Sequence, residues 1–344
     1  MYRCSSRAHS SLAHFYLYGR WICMAKKVLK VFIFLFIVAA LCVASYLAFR
    51  YFVYGEVYKA RPSIVKGSLL DKIRKEHDEN IYKPSESASQ RPYSVLLVGL
   101  DEKNLKSGRS DTLMVAIVDP KTKSVNLLSI PRDTYVKIAG KGMDKITHAH
   151  NGGINSTIMT VEDFLDTKID YYAQINFDGF RSLVDDIGGV TVDVEKTLTF
   201  KDRITGTHFT LYEGEQRLDG IKALNYARFR GDAEGDFGRN RRQQQVVKAI
   251  IDESISFRNI TKVNALLKDL GDNVATDMDL PVLTKTLTKM KNVSSKDVYS
   301  IPLKASPMSL NGVSYVKADE DSLKKVKTYI RDVLKGKKPK HLEE

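Results

Sequence analysis

Residues 94–130 read SVLLVGLDEKNLKSGRSDTLMVAIVDPKTKSVNLLSI. Three apolar runs of strand length lie in this stretch, SVLLVG at 94–99, TLMVAIV at 112–118 and SVNLLSI at 124–130. The DPKTK segment at 119–123 is a tight-turn signal, so the second and third runs are expected to form a hairpin. If the three strands run up, down and up, the end of the first, the start of the second and the end of the third share one sheet edge. Asp101 follows the first strand, Asp111 immediately precedes the second, and Arg132 follows the third. Two carboxylates and a guanidinium are therefore expected to converge at one rim.

Working outward, 143–153 (MDKITHAHNGG) reads as a polar loop leading into a helix at 154–165. His148 and His150 in that loop fit no standard zinc pattern at i,i+2 spacing without a nearby Cys or acidic partner, and are read as hydrogen-bonding loop histidines. A strand at 171–176, a helix at 177–187 closed by Gly188-Gly189 and a strand at 190–194 follow. Strands alternating with helices argue for a layered α/β domain. Residues 214–227 read as a turn and short helix. Amphipathic helices are expected at 261–270, 279–291 and 321–334, with a strand at 297–301.

The most unusual stretch is 223–247, ALNYARFRGDAEGDFGRNRRQQQVV, with five arginines: Arg228, Arg230, Arg239, Arg241 and Arg242. An arginine run is ordinarily a solvated face. Here an acidic, Gly-rich turn (231–238) separates two groups of arginines, and from Gly238 the pattern is helical, with Val246, Val247, Ile250, Ile251 and Ile255 in register. Stepping that stripe back by three or four residues reaches Gln243, Arg242 and Arg239. Arg239 and Gln243 should thus continue the buried face, and Arg241, Gln245 and Lys248 should lie opposite. Inward guanidinium groups at a helix start call for an anion, which the helix dipole also favours. Arginine's planar fork suits phosphate oxygens.

With 344 residues, 43% of them hydrophobic, the chain can bury a sizeable core in one or two domains. A net charge of +13 suits nucleic acid, an anionic membrane or an anionic polymer alike. Location separates these. VFIFLFIVAALCVASYLAF at 31–49 carries no charge and is long enough to span a bilayer. Six basic residues precede it and no acidic residue appears before Glu56, so the N-terminus is expected in the cytoplasm and the chain beyond Arg50 outside. A signal peptide is the alternative, but no clear small-residue cleavage site follows. Residues 1–23 read as an extension ahead of Met24. All three cysteines (Cys4, Cys23, Cys42) lie in this N-terminal part, so neither disulfides nor a thiolate site can serve the exported portion. Nucleic acid is an unsuitable partner: the arginines are on the wrong side of the membrane and no recognised binding motif accompanies them.

GLD at 99–101, RSDT at 109–112, SIPRD at 129–133, DKITHAHN at 144–151, LDGIKALNYARFR at 218–230 and DFGRNRRQQ at 236–244 together resemble the successive motifs of the LytR–CpsA–Psr family. The resemblance runs in order over about half the chain, and the membrane helix ahead of it also fits. It implies a membrane-anchored phosphotransferase that moves a glycopolymer, such as wall teichoic acid or capsule, from an undecaprenyl-pyrophosphate carrier to peptidoglycan. It implies an α–β–α sandwich around a mixed central sheet with an apolar tunnel for the polyprenyl tail. It implies that Asp101 and Asp111 bind magnesium, or manganese in its place, and that Arg132, Arg228, Arg230, Arg239 and Gln243 hold the lipid phosphates, with Lys145 a further contact. Asp111, Arg132, Arg228 and Arg230 would be the catalytic set. The expected organisation is then a basic N-terminus (1–30), a transmembrane helix (31–52), a stalk (53–90), the catalytic domain (91–334, motifs 93–251 and C-terminal helices 257–334) and a basic tail (335–344).

The chemistry is consistent with the residues themselves. Phosphoryl transfer places charge on non-bridging oxygens, so catalysis is mostly positioning and electrostatic stabilisation. Asp111 and Asp133 are both candidates for the base, and Asp133 reads better as the partner that orients Arg132. Three functional readings use the same residues: a transferase, a hydrolase of the lipid pyrophosphate using water as acceptor, and a non-catalytic polyprenyl-phosphate receptor. The receptor needs arginines but not the Asp101–Asp111 pair.

Overall fold

Strand β1 (Tyr93–Leu100) is the axis of the fold, buried along almost its whole length because YSVLLVGL carries no charge. It pairs antiparallel with β2 (Ser110–Asp119), which in turn pairs antiparallel with β3 (Ser124–Ser129). The turn between β2 and β3 is held by Asp119, whose carboxylate accepts from the Lys121 amide at 2.8 Å and the Thr122 hydroxyl at 2.8 Å. In the computed structural model the described residues are 91–201, 206, 208–254, 266 and 269–339. The expected membrane helix, stalk and N-terminal segment, and most of the helix expected at 261–270, lie outside them. Among the described residues no helix is long and apolar enough to cross a membrane.

Short strands β4 (Tyr135–Lys137) and β5 (Met143–Lys145) pair beside the sheet. What reads as a polar loop at 143–153 thus contains a strand and a 3-10 segment, Ile146–Gly152, before helix α1 (Gly153–Leu165). Strand β6 (Tyr171–Asn176) lies parallel to β1 on its other side and runs into α2 (Phe177–Asp186). Next come β7 (Val190–Val194), the hairpin β8 (Leu198–Lys201) and β9 (His208–Leu211), and β10 (Gly214–Leu218), which pairs with β7. Helices α3 (Gly220–Arg228) and α4 (Gly235–Ser254) carry the arginine stretch.

The C-terminal segment, expected to be helices with one strand at 297–301, supplies that strand and further strands besides. Strand β11 (Val274–Thr276) pairs antiparallel with β6, and β12 (Val298–Ile301) pairs parallel with β3, so both edges of the six-stranded sheet β11-β6-β1-β2-β3-β12 come from it. It adds α5 (Leu280–Lys289), a hairpin of β13 (Ala305–Leu310) and β14 (Val313–Ala318), and α6 (Glu320–Leu334).

The period-two alternation of β2 divides its side chains between two cores. Leu113, Val115 and Ile117 join Leu96 and Val98 against Ile158, Val161 and Leu165 of α1 and Val326, Ile330 and Val333 of α6. Met114 and Ala116 join Val125 and Leu127 on the opposite face, against Val247 and Ile251 of α4. Helices therefore cover both faces of a mixed sheet. A further core joins α2, α3 and β7 to Val246 and Ala249, so α4 is packed on two sides. This changes one expectation: Gln245 and Lys248, read as opposite the buried stripe, are half-buried, and the Tyr226 hydroxyl donates to Gln245 Oε1 at 2.7 Å.

Candidate active site

The rim forms as the strand directions require. Asp111 stands at the start of β2, Asp101 just past β1, and Arg132 just past β3. Arg132 Nη1 donates to Asp111 Oδ1 at 2.5 Å, and its Nε lies 3.8 Å from Asp133 Oδ2 and 4.0 Å from Asp236 Oδ2. Burial pulls the Arg132 guanidinium down, but the Asp111 hydrogen bond and the charges of Asp111, Asp133 and Asp236 outweigh it and raise its pKa. Gly99 makes the rim narrow: a Cβ there would come within 3.0 Å of Thr112 Cβ.

The second group of cations arrives on α3 and α4. Helix α3 is capped by Asp219, whose side chain accepts from the Lys222 amide, and it ends at Arg228. Arg228 lies over the ring of Phe177, 4.2 Å from its centroid. That ring is placed by Asn176, which caps α2 and also donates to Lys103 O at 3.0 Å and Asn273 Oδ1 at 2.9 Å. Helix α4 begins at Gly235 (φ 53), three residues before the expected start, so Asp236 belongs to its first turn. Asp236 accepts from Arg230 Nε at 2.5 Å and from Arg239 Nη2 at 3.0 Å. With Arg132 nearby, one carboxylate gathers three guanidinium groups. As the helical spacing predicts, Arg239 and Gln243 are buried, at 4% and 8% exposure. Burial above all, with Arg230 and Arg132 adding to it, pulls the Arg239 pKa down to about 10 against the opposing pull of Asp236.

Three buried atoms of this group have no hydrogen-bond partner among the described residues: Arg132 Nε, Arg239 Nε and Asp101 Oδ1. Leaving such atoms unmatched is unfavourable by about 1–3 kcal/mol each, and more for charged groups. Two of the three are guanidinium donors and the third is a carboxylate acceptor.

These residues form the mouth of a cavity of about 860 Å³. Asp101, Asp111, Arg132, Arg228, Arg230, Arg239 and Gln243 all line it, together with an apolar wall that includes Leu97, Met114, Phe180, Leu183, Val246 and Ile250. Lys145 does not line it. Its Nζ sits 3.0 Å from Asp133 Oδ1, so Lys145 reaches the site only through Asp133. Asp133 lies between Lys145 and Arg132, but the hydrogen bond that holds Arg132 comes from Asp111, with Asp133 no nearer than 3.8 Å.

The family model for the LytR_cpsA_psr family matches residues 63–332, well beyond the six motifs. The polyisoprenyl-teichoic acid–peptidoglycan teichoic acid transferase TagU of Bacillus licheniformis is 41% identical over 246 residues, 71% of this chain and 78% of that one. The chain belongs to the LytR–CpsA–Psr family. It is, like such relatives, a transferase. Among solved LytR–CpsA–Psr structures, TagV of B. subtilis superposes with a TM-score of 0.63 at 34% identity, covering 72% of this chain and 99% of that one. TagT bound to LI-WTA superposes at 0.62 and 33% identity, covering 74% and 94%.

Two features of this site were not read from the sequence. Asp236 lies inside a quoted motif, yet a lone acidic residue in a helix's first turn looks like an ordinary capping acid. Phe177 gives no signal, since its contact with Arg228 spans two elements distant in sequence. Both histidines have the expected hydrogen-bonding roles, though His148 does have an acidic partner: His150 is buried between the Thr157 hydroxyl (3.0 Å) and Leu105 O (3.2 Å), and His148 pairs with Asp144 at 2.9 Å.

Among the described residues no set of three or more His, Cys, Asp or Glu is grouped to hold a metal. The donors that do fit a metal are Asp101, with its unmatched buried Oδ1, and Asp111. A pair of carboxylates suits magnesium, which keeps several waters and takes further ligands from phosphate.

Proposed function

We propose that the protein transfers an anionic glycopolymer, of the wall teichoic acid or capsular kind, from an undecaprenyl-diphosphate carrier to peptidoglycan. One observation carries this reading: an apolar cavity opens onto five arginines (Arg109, Arg132, Arg228, Arg230 and Arg239) and two carboxylates. An apolar chamber suits a polyprenyl tail, and the cations at its mouth suit the diphosphate joined to that tail. The relatives named as teichoic acid–peptidoglycan transferases support the same substrates. The segment 31–52 would anchor the chain with the catalytic domain outside the membrane.

In this reading Arg228, Arg230 and Arg239 clasp the non-bridging oxygens, and Arg132 meets the charge that develops on the oxygens of the phosphorus under attack. The acceptor hydroxyl oxygen bonds to the glycan-bearing phosphorus, and the bond from that phosphorus to the bridging oxygen breaks. Polyprenyl phosphate leaves and the hydroxyl proton is released. Asp101 and Asp111 would hold magnesium, whose charge would offset that of the diphosphate oxygens. The apolar wall keeps water from the lipid side of the diphosphate.

The test is incubation of the full chain in detergent with a synthetic polyprenyl-diphosphate glycan, magnesium and peptidoglycan oligomers, followed by mass spectrometry. A glycan–peptidoglycan adduct lost in R132A and D111A is the expected result. Polyprenyl phosphate release without adduct would instead assign a hydrolase, and tight lipid binding without turnover would assign a receptor.

A further inference from the structure

Residues 305–315 read ASPMSLNGVSY, eleven positions without a charge in a chain of which 28% is charged. They form most of the β13–β14 hairpin, which turns through Asn311 (φ 51) and Gly312 (φ 77) with Leu310 opposite Val313. Asn-Gly supplies the two positive φ values of a tight hairpin turn. Ser306, Pro307, Ser309 and Ser314 are exposed, and at the tip Leu310 and Val313 are 40% and 43% exposed. So little of this hairpin is buried that packing alone does not account for it.

Its root is tied to the active site. The Val316 amide donates to Asp133 O at 2.9 Å, and Thr134 bridges to Val316. Tyr315 meets Tyr135 edge to face with centroids 4.8 Å apart. Lys145, bound to Asp133, stands 5.6 Å from the centre of the Tyr315 ring. The line Arg132–Asp133–Lys145–Tyr315 therefore leaves the cavity mouth. Arg132 lines the cavity, and Asp133, Lys145, Tyr135 and Tyr315 do not.

We propose that the β13–β14 hairpin, with Tyr315 and Tyr135 at its root, is the platform that binds the acceptor: the sugar backbone of a peptidoglycan glycan strand. This deepens the transferase reading and rests on it. Displacement at phosphorus brings the acceptor in opposite the leaving group. The leaving polyprenyl phosphate occupies the cavity side of the cations, so the acceptor approaches from the side that the cavity does not take. Charge selects between the two polymers of the reaction. An anionic glycopolymer would be drawn to cations, whereas the N-acetylated sugar backbone of the acceptor is neutral. A neutral surface of serine, asparagine and tyrosine offers hydroxyl and amide partners to sugar edges. Its aromatic rings match the apolar C–H face of a pyranose, with the phenol hydroxyls left polar.

The experiment measures transfer by the full chain in detergent, varying N-acetylated glycan oligomers whose lactyl carboxyls are capped as neutral amides at fixed donor, and then donor at fixed oligomer. Y315A is compared with S309D/S314D, which sets two carboxylates opposite each other on the exposed hairpin; circular dichroism and Tm check that the rest of the fold is retained. Both are expected to raise the acceptor KM about tenfold with the donor KM unchanged and turnover at saturating acceptor preserved. An unchanged acceptor KM in S309D/S314D, or a raised donor KM in its place, overturns the platform while leaving the transferase reading intact. If the wild-type chain makes no adduct, titration of the oligomers against wild type and S309D/S314D by calorimetry decides separately. Binding weakened in the variant upholds the platform, and equal or absent binding overturns it.

Discussion

Replacing Asp236 by asparagine keeps the shape of the side chain and removes its charge, and the consequences can be worked from its contacts. The carboxylate accepts from Arg230 at 2.5 Å and Arg239 at 3.0 Å, with Arg132 at 4.0 Å. Hydrogen bonds to charged groups contribute about 1.5–3 kcal/mol each, and Asp236 is 20% exposed, so part of that is recovered from water. The net loss without substrate is expected to be about 2 kcal/mol, concentrated on Arg239, which is buried and already depressed to about 10. For a domain of this size such a loss lowers Tm by about 4–8 °C. A phosphate-type anion supplies the charge that asparagine lacks. Because no carboxylate then competes with it, inorganic diphosphate should bind D236N more tightly than wild type and close most of the gap in Tm. The assay is thermal unfolding of both proteins followed by circular dichroism, with and without diphosphate. An unchanged Tm in D236N, or a gap that persists or widens at saturating diphosphate, would refute the view that Asp236 and the substrate compete for the same guanidinium groups.

Four further outcomes follow from the geometry. Removing Arg132 with R132A should lower turnover about 100- to 1,000-fold, the loss typical of one transition-state donor, as read from adduct formation. D101N removes the charge of the carboxylate with the unmatched oxygen and should raise the magnesium needed for half-maximal rate by about tenfold, measured by metal titration. R242M strips the fully buried guanidinium from Glu195 and Asp232 and should destabilise by about 3–5 kcal/mol, seen as a lower denaturant midpoint. Burial lowers the His150 pKa against the opposing hydrogen bond to Leu105 O, so its contribution to stability is complete above its ordinary value of about 6.5 and is lost as pH falls below it. Tm should drop on acidification through that range, and less steeply in H150Q.

The sequence and the structure agree where local pattern and geometry are the same thing. Alternating strand direction places Asp101, Asp111 and Arg132 at one edge wherever the rest of the chain goes, and helical period buries Arg239 and Gln243. The β13–β14 hairpin was not read: apart from buried Val316, its residues lack the apolar alternation that marks a strand packed on a core, and most are exposed.

The harder case is Arg242. The stripe that buries Arg239 buries Arg242 as well, and nothing local separates them. Arg242 Nε donates to Glu195 at 2.6 Å, its Nη1 donates to Phe229 O at 3.2 Å, and Asp232 takes its Nη2. Its charge is matched within the protein, and Phe229 is held between Arg228 and Arg230. Arg239 shares a single carboxylate with two other arginines and keeps an unmatched Nε. Two arginines on one helix face are therefore differently placed: one is matched within the protein and fixes its loop, and in the proposed function the other serves as a phosphate ligand. The difference lies in Glu195, which is close in space and far in sequence. A site of this kind is legible in its cations but not in the anions that decide which of those cations are free to bind substrate.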